Sequence, residues 1–132
     1  MGAELVAAGA HVVLADSDGD RAERVAHELA GRSSVASGSV AAAVLDVRDR
    51  AAVKALVEEV ADRRGRLDFM FNNAGIVIGG RTQALSGEHW DRVIEVNLMG
   101  VVNGVVAAYP LMAAARHGHI VNTASTAGWR RR

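Results

Sequence analysis

The sequence contains no cysteine, so disulfide bonds and thiolate chemistry are excluded. A chain without cysteine is typical of a reducing compartment, and we expect a cytoplasmic protein. Its 132 residues, half of them hydrophobic, are enough for one compact domain and too few for two. We therefore predict a single domain over residues 1–132.

The sequence also lacks an excess of charge of either sign, because 15 basic side chains balance 15 acidic ones. Without a net field, neither nucleic acid nor an anionic membrane surface is an expected partner. We interpret the three arginines at 130–132 as a solvated end. Residues 1–10 lack a basic stretch followed by a long apolar one, so no secretory signal is predicted.

One segment, Val96–Ala115, runs for twenty residues without a charged side chain. That length is formally sufficient to span a bilayer. The run is interrupted by polar, glycine and proline residues, among them Asn97, Asn103 and Pro110. A buried helix of a soluble protein has the same composition, and we favour that interpretation over a membrane span.

The order of the predicted elements indicates an α/β fold. Four short aliphatic runs have the length of strands, and a short helix over Gly2–Ala8 precedes them. The predicted strands are His11–Ala15, Ala43–Val47, Leu67–Phe71 and Ile120–Ala124. Strands that alternate with helices predict right-handed crossovers and a doubly wound parallel sheet. Because the strand runs are apolar throughout, we expect helices on both faces.

Three longer helices are predicted between these strands. The first two are indicated by apolar residues at helical spacing, namely Ala22, Val25, Ala26 and Leu29, then Val53, Leu56, Val57 and Val60. Gly31 and Gly65 are placed to end them in a left-handed conformation. The third helix begins at Ser86, a favourable N-cap residue, and runs toward Arg116.

Acidic residues lie at the ends of the first two predicted strands, Asp16 directly after the first and Asp46 within the last residues of the second. In a dinucleotide-binding unit, an aspartate at the position of Asp16 accepts hydrogen bonds from the adenosine ribose and repels a 2′-phosphate, which favours NAD over NADP. Asp46 would lie at the same edge, since parallel strands present their carboxyl ends together. Helix capping is the competing explanation, by Asp16 with Ser17 and Asp18 for one helix and by Asp46 or Asp49 for the next.

Polar and small residues follow the third predicted strand, and a further asparagine lies on the long helix. Asn72-Asn73-Ala74-Gly75 would let a flat ligand approach the backbone, and Asn73 could satisfy backbone groups where the sheet ends. Asn97 lies on the apolar stripe of the long helix, so we expect its amide to be buried and to need partners. An amide satisfied by backbone groups in the core is the simpler alternative. Ser125, at the end of the fourth run, carries little meaning by itself.

With these motifs the chain resembles the short-chain dehydrogenase/reductase family over nearly its whole length, from Gly2 to Gly128. The marks of that family, counted on its own strands, are an acidic residue after the second strand, Asp-Val after the third, Asn-Asn-Ala-Gly after the fourth and a later serine. The family's second strand corresponds to the first predicted strand of this chain. The resemblance implies a Rossmann-like fold and an oxidoreductase that transfers hydride between a nicotinamide cofactor and an alcohol or carbonyl compound.

The resemblance also implies a role for individual residues. Gly2 would be the last glycine of the cofactor turn, and Asp46 with Val47 would hold the adenine. Three consecutive residues, Asn73, Ala74 and Gly75, would border the cofactor's sugar. On the catalytic side, Asn97 would hold a water molecule in a proton relay and Ser125 would hydrogen-bond the substrate oxygen.

Two departures from the family pattern bear on activity. The family's first strand, which lies at the centre of the sheet, and its C-terminal strands are not in this sequence, so we expect two half-sheets with unpaired edges. The family's Tyr-x-x-x-Lys motif is also absent, and Tyr109 has no lysine four residues later. That tyrosine donates and accepts the substrate proton in the family. We therefore expect a truncated oxidoreductase that is inactive as this chain alone.

Other interpretations remain open. The chain could be a non-catalytic subunit that forms a homo-oligomer through the 86–115 helix, or a residual nucleotide-binding module without turnover. His117 and His119 have a metal-like spacing, but no nearby carboxylate or third ligand is evident, so we predict a surface turn and no metal site. We expect Tyr109 to pack within its helix.

Overall fold

The computed structural model describes residues 2–32 and 38–125. Helices and strands alternate along the chain, as predicted. The helices are α1 (Gly2–Ala7), α2 (Gly19–Arg32), α3 (Arg50–Arg64), α4 (Gly87–Ile94) and α5 (Gly100–Ala115). The strands are β1 (His11–Asp16), β2 (Ser39–Val44), β3 (Phe69–Asn72) and β4 (His119–Asn122). A 3-10 turn spans Thr82–Ala84, and a π-helical turn spans Glu95–Met99.

The described strands form two parallel pairs. β1 pairs with β2 from His11 opposite Ser39 to Asp16 opposite Val44, and β3 pairs with β4 along its whole length. The parallel direction and the two half-sheets are therefore confirmed. The chain divides into two compact units, Met1–Asp46 and Val47–Arg132. The single domain predicted from chain length stays a prediction.

In the first unit, α1 and α2 pack on the β1–β2 pair. Val6, Ala22 and Ala26 are its buried apolar residues, so the stripe predicted on α2 is correct in part, whereas Val25 is 36% exposed. Among the described residues, those of β1 alternate between exposed and half-buried, whereas cover on both strand faces was expected. Gly31 does not end α2, because the helix continues through Arg32 and Gly31 keeps helical geometry.

In the second unit, α3 begins and ends as the sequence indicates. The Asp49 carboxylate caps the helix by accepting from the backbone N–H of Ala52 at 3.0 Å. Gly65 follows the last turn with φ 67°, the left-handed conformation that glycine adopts without a steric penalty. Val53 and Val57 are the residues that the helix buries most deeply.

The long helix predicted from Ser86 to Arg116 is interrupted by the π-helical turn. Ser86 is its N-cap, and the Ser86 backbone N–H donates to Nδ1 of His89 at 3.0 Å. The C-terminal part, α5, packs on α3, β3 and β4 and buries Gly100, Asn103, Gly104, Ala107, Ala108 and Met112. Arg116 ends the helix with φ 53°.

The second strand is displaced from its predicted position. Ala43–Val47 was predicted, but pairing runs over Ser39–Val44. The difference follows from the partner strand, because β1 ends at Asp16. The Asp16 carbonyl accepts from the Leu45 N–H at 2.9 Å, and the residues after Leu45 have no opposite residue in β1. The small alanines of the strand gave a weaker apolar signal than the residues that follow it.

Among the described residues, the segment Gly87–Ala115 has the length and composition of a membrane span, with a mean hydropathy of 1.7 in its most apolar window. A core helix of a soluble protein passes the same test. About a third of that window, 33%, is buried inside the protein. Its contacts with α3 and both strands of the second unit support the core-helix interpretation.

Candidate functional site

Asp16 closes β1 and does not cap α2. Its Oδ1 accepts from the backbone N–H of Asp18 at 3.0 Å, and its Oδ2 lies 3.9 Å from Nε of Arg21. Asp18 caps α2 instead, since its carboxylate accepts from the Arg21 N–H at 3.0 Å. The capping explanation therefore applies to Asp18. The Asp16 side chain is 36% exposed at the strand end.

Asp46 lies two residues beyond β2, at the same end of the β1–β2 pair as Asp16. It does not cap α3, because Asp49 does so. Asp46 and Val47 are half-buried. Within the first unit, the two aspartates thus share the carboxyl edge of a parallel pair, where ligands of open α/β sheets bind.

The end of β3 is tied to the end of β4 by side-chain hydrogen bonds. Nδ2 of Asn72, which is 7% exposed, donates to Oδ1 of Asn122 at 2.8 Å. Oδ1 of Asn73 accepts from Oγ1 of Thr123 at 2.9 Å. The partner of Asn73 is therefore a side chain, where backbone groups were expected. Ser125 is exposed and follows at the same edge of this pair.

Asn97 lies in the π-helical turn and is exposed, so the burial predicted from helical spacing is wrong. The wider turn changes the angular position of its residues relative to an α-helix. Its amide is nevertheless doubly bonded to backbone: Oδ1 accepts from the Ile76 N–H at 2.8 Å, and Nδ2 donates to the Ile76 carbonyl at 2.9 Å. The predicted backbone partners are present.

The loop after β3 passes directly over Asn97. A Cβ added to Gly75 would lie 3.6 Å from Oδ1 of Asn97, which is ordinary contact distance. Ala74 and Gly75 are exposed. The second unit therefore brings together Asn73, Gly75 and Asn97 near the end of the sheet that also carries Ser125. Residues 126–128, part of the family resemblance, lie outside the described residues.

Gly2 is the first residue of α1, where the helix lies close to its neighbours. An added Cβ would be 3.3 Å from Cδ1 of Leu29 and 3.8 Å from Cδ2 of Leu14. Close helix packing is one function of the last glycine in a dinucleotide-binding turn. The position is compatible with the role that the resemblance implies.

The two histidines differ from their predicted surroundings. His117 does have a nearby carboxylate, since its Nε2 lies 2.7 Å from Oδ1 of Asp68, which also accepts from Nε of Arg66 at 2.8 Å. The Arg66 hydrogen bond, with help from His117, lowers the pKa of the Asp68 carboxyl below its ordinary value. His119 does not lie in a turn; it begins β4, and its ring stacks on Phe69. No group of three metal-ligating side chains occurs in ranges 2–32 and 38–125.

The exposed apolar side chains of α4 and α5 contradict the packing expected for Tyr109. Tyr109 is 63% exposed. It is one of five exposed apolar side chains along α4, the π-helical turn and α5 that we call the apolar stripe, namely Trp90, Ile94, Leu98, Val106 and Tyr109.

Sequence reasoning missed the buried amide of Asn103. Asn103 is 3% exposed; its Nδ2 donates to the Val47 carbonyl at 2.9 Å, and its Oδ1 accepts from Nε of Arg50 at 3.0 Å. The available signal was an amide three residues after Gly100 in an otherwise apolar helix. Such an amide requires partners wherever it is buried.

The strand-end groups are compatible with a nicotinamide nucleotide. The Asp16 carboxylate keeps exposed acceptor surface beyond its bond to the Asp18 N–H, as recognition of a ribose diol requires. The exposed backbone at Ala74 and Gly75 bears no bulky side chain to keep a flat ring or a sugar away. A rim shared by Asp16, Asp46, Asn73 and Ser125 stays a prediction.

Parallel strands joined by helices, with polar residues after their carboxyl ends, define an α/β protein of the Rossmann-like class. The short chain dehydrogenase family model matches residues 1–132. This chain belongs to the short-chain dehydrogenase family, a family of oxidoreductases that bind nicotinamide cofactors.

Individual relatives agree with this assignment. The chain is 41% identical over 128 residues to a hexahydro-indene-carboxyl-CoA reductase of Mycobacterium tuberculosis, covering 95% of this chain and 47% of that protein. A short-chain dehydrogenase from Mycobacterium smegmatis superposes with a TM-score of 0.86 at 35% identity, over 99% of this chain and 53% of that one.

A metagenomic short-chain oxidoreductase in complex with NADP superposes with a TM-score of 0.85 at 32% identity, over 98% of this chain and 57% of that one. The chain spans about half the length of the curated relatives it matches, 47% in the case above.

Proposed function

We propose that this chain is part of an NAD(H)-dependent short-chain oxidoreductase that interconverts an alcohol and a ketone or aldehyde. One observation carries the proposal: the Asn97 amide hydrogen-bonds both the N–H and the carbonyl of Ile76, the residue that follows Asn73-Ala74-Gly75. The residues assigned to cofactor and to catalysis are thereby joined at one end of the β3–β4 pair. A ligand bordered by Gly75 would lie within reach of groups held by the long helix.

In this proposal, each group has a chemical task. Asp16 accepts hydrogen bonds from the adenosine ribose, and Asp46 with Val47 contacts the adenine. The bound nicotinamide supplies hydride transfer. Ser125 donates a hydrogen bond to the substrate oxygen, and Asn97 holds a water molecule.

The remaining proposed contacts lie along the backbone. Asn73, Ala74 and Gly75 would border the cofactor's sugar, and Gly2, as the last glycine of the cofactor turn, lets the first helix pack closely on Leu29 and Leu14. Proton transfer lacks a tyrosine–lysine pair in this sequence, so we expect the chain alone to be inactive. We place the protein in the cytoplasm and expect neither nucleic acid nor a membrane as a partner.

The choice of NAD over NADP rests on the carboxylate of Asp16. A negative charge at that position repels a 2′-phosphate. Arg21 lies 3.9 Å away, and its side chain is 65% exposed, so the local charge is partly balanced. A solved relative is in complex with NADP, so membership of the family does not by itself decide between the two cofactors. We propose that the carboxylate dominates, because it lies at the strand end itself.

Cofactor binding by the chain tests the proposal directly. We expect NADH fluorescence to change on titration with the chain, and the apparent Kd to rise about tenfold in Asp16→Asn, which loses a charged acceptor. Asp20→Asn, a change of the same type in the first turn of α2, is the matched control and should leave Kd unchanged. Absence of NADH binding at millimolar cofactor would refute the proposal.

Activity provides an independent measurement. We expect the chain to oxidise no alcohol in the presence of NAD. Turnover of any alcohol would contradict the proposed inactivity. Sequencing the DNA on both sides of the open reading frame gives a further check, since an in-frame glycine-rich turn upstream and Tyr-x-x-x-Lys downstream are expected.

A non-catalytic homo-oligomer is the second candidate function, and the apolar stripe favours it. A run of exposed apolar side chains along one helix is uncommon on a monomer and marks interaction surfaces. A second copy of the chain can present the same stripe about a two-fold axis, so the surface complements itself. Leu98, at 57% exposure, lies in the middle of the stripe.

Sedimentation of the chain separates the two outcomes. We expect a dimer for the wild type and a monomer for Leu98→Glu, because a buried unpaired charge opposes association. Ala55→Glu, an exposed position on α3, is the control. A wild type that sediments as a monomer would refute the oligomer and leave the cofactor proposal intact. Binding of NADH without turnover, together with flanking DNA that holds no in-frame Tyr-x-x-x-Lys, would instead favour a residual nucleotide-binding module.

A further inference from the structure

Helix α5 holds the loop after β2 through residues that the proposed catalytic reaction does not use. Gly100 lies so close to the loop that an added Cβ would be 2.7 Å from Cγ2 of Val47. One turn later, Asn103 donates to the carbonyl of Val47 and accepts from Arg50. We call Gly100, Asn103 and Arg50 the loop clasp.

Burying the Asn103 amide costs free energy that its hydrogen bonds to the loop must offset. A buried asparagine in a helix replaces an apolar side chain that would pack as well, and its amide must recover the lost hydration through hydrogen bonds. Asn103 recovers it from two loop carbonyls, those of Val47 at 2.9 Å and Arg48 at 3.5 Å, and from the Arg50 guanidinium. The Val47 carbonyl lies before the start of α3, where the Val53 N–H donates to the Asp49 carbonyl. The Val47 carbonyl accepts instead from Asn103, which belongs to a different helix, α5.

A second contact tethers the same loop to the long helix. Nη1 of Arg48 lies 3.7 Å from Oε2 of Glu95, although both side chains are about half exposed. Exposed pairs contribute little by themselves. The buried amide and the close glycine approach are the contacts that determine the position of the loop backbone.

We propose that Asn103 and Gly100 are positioning residues that set the affinity for the adenosine half of the cofactor by fixing Val47. The inference rests on the proposed function, which gives Val47 its contact with adenine. A binding group must be held to within about half an ångström of its productive position by surrounding residues. The loop clasp performs that task from a rigid helix, far along the chain from the loop.

The clasp itself is tested without any cofactor. Asn103→Leu keeps the shape of the side chain and removes its hydrogen bonds to Val47, Arg48 and Arg50. We expect the amides of Ala52 and Val53, which are bonded to Asp49 at the start of α3, to exchange with solvent about tenfold faster, the size of one buried bond. Met112→Ala, a packing change elsewhere on α5, serves as the control for global destabilisation. Equal exchange in the two variants would overturn the clasp.

The effect on ligand affinity is measured with the two halves of the cofactor. AMP carries the adenosine half, and reduced nicotinamide mononucleotide lacks it. Asn103→Leu should raise the Kd of AMP about tenfold and leave that of reduced nicotinamide mononucleotide unchanged. Equal changes for both ligands would overturn the positioning role.

The two failures remain distinguishable. A wild-type chain that binds neither AMP nor NADH would refute the proposed function and, with it, the adenosine role of the clasp. The exchange measurement would still decide whether Asn103 fixes the loop. A wild type that binds AMP together with an unchanged Kd in Asn103→Leu would overturn this inference alone.

Discussion

Gly104 is the position where the close contact between α5 and β3 can be tested most sharply. An added Cβ would fall well inside contact distance of Oδ1 of Asn72, 2.8 Å from its Cγ and 2.9 Å from Cε of Met70. The Asn72 amide cannot withdraw freely, because its Nδ2 donates to Asn122 and the residue is 7% exposed. Gly104→Ala must therefore displace a buried, hydrogen-bonded side chain.

The expected magnitude follows from three opposing terms. Forcing one methyl group into a packed site costs about 1–3 kcal/mol. Breaking the bond to Asn122 leaves a buried amide unsatisfied, at a further ~1–3 kcal/mol. Alanine in a helix recovers about 1 kcal/mol relative to glycine. We expect the free energy of unfolding to fall by about 3 kcal/mol.

Urea denaturation followed by circular dichroism measures this change. Gly31→Ala is the matched control, since Gly31 is also helical and an added Cβ there meets nothing within 4 Å. The control should raise the free energy of unfolding by about 0.5–1 kcal/mol through helix propensity alone. A Gly104→Ala chain as stable as the wild type would refute the packing argument.

Two further predictions concern charge. Asp16→Ser should lower the Kd of NADPH relative to NADH by about tenfold, because the repulsive carboxylate is lost while Arg21 remains, and an unchanged ratio of the two dissociation constants would contradict the proposed basis of cofactor choice. Because the Arg66 hydrogen bond, supported by His117, depresses the pKa of Asp68 in the folded chain, its contribution is present above the unfolded pKa and is lost as pH falls through the folded one. In wild type we expect the free energy of unfolding, measured with urea, to fall by about 0.2–1 kcal/mol between about pH 5 and 2 for so exposed a pair. Asp68→Asn should abolish this fall. A variant with the wild-type pH profile would show that the carboxylate has no such role.

The sequence by itself determined the order of elements, the parallel direction of the strands and the family. These features depend on local patterns: apolar runs of strand length, helical spacing, and caps such as Asp49 and Gly65. Capping groups and left-handed glycines act within a few residues, so their effect can be deduced without knowing the rest of the fold.

Only the tertiary structure decided strand register and the partners of the amides. β2 ends where β1 stops offering backbone groups, and no pattern within β2 contains that information. Asn97 and Asn103 are identical in type, yet one is exposed in a π-helical turn and the other is buried beneath a loop. Their environments depend on residues far away in the chain, Ile76 for Asn97 and Val47 for Asn103, because packing is a property of distant segments brought together.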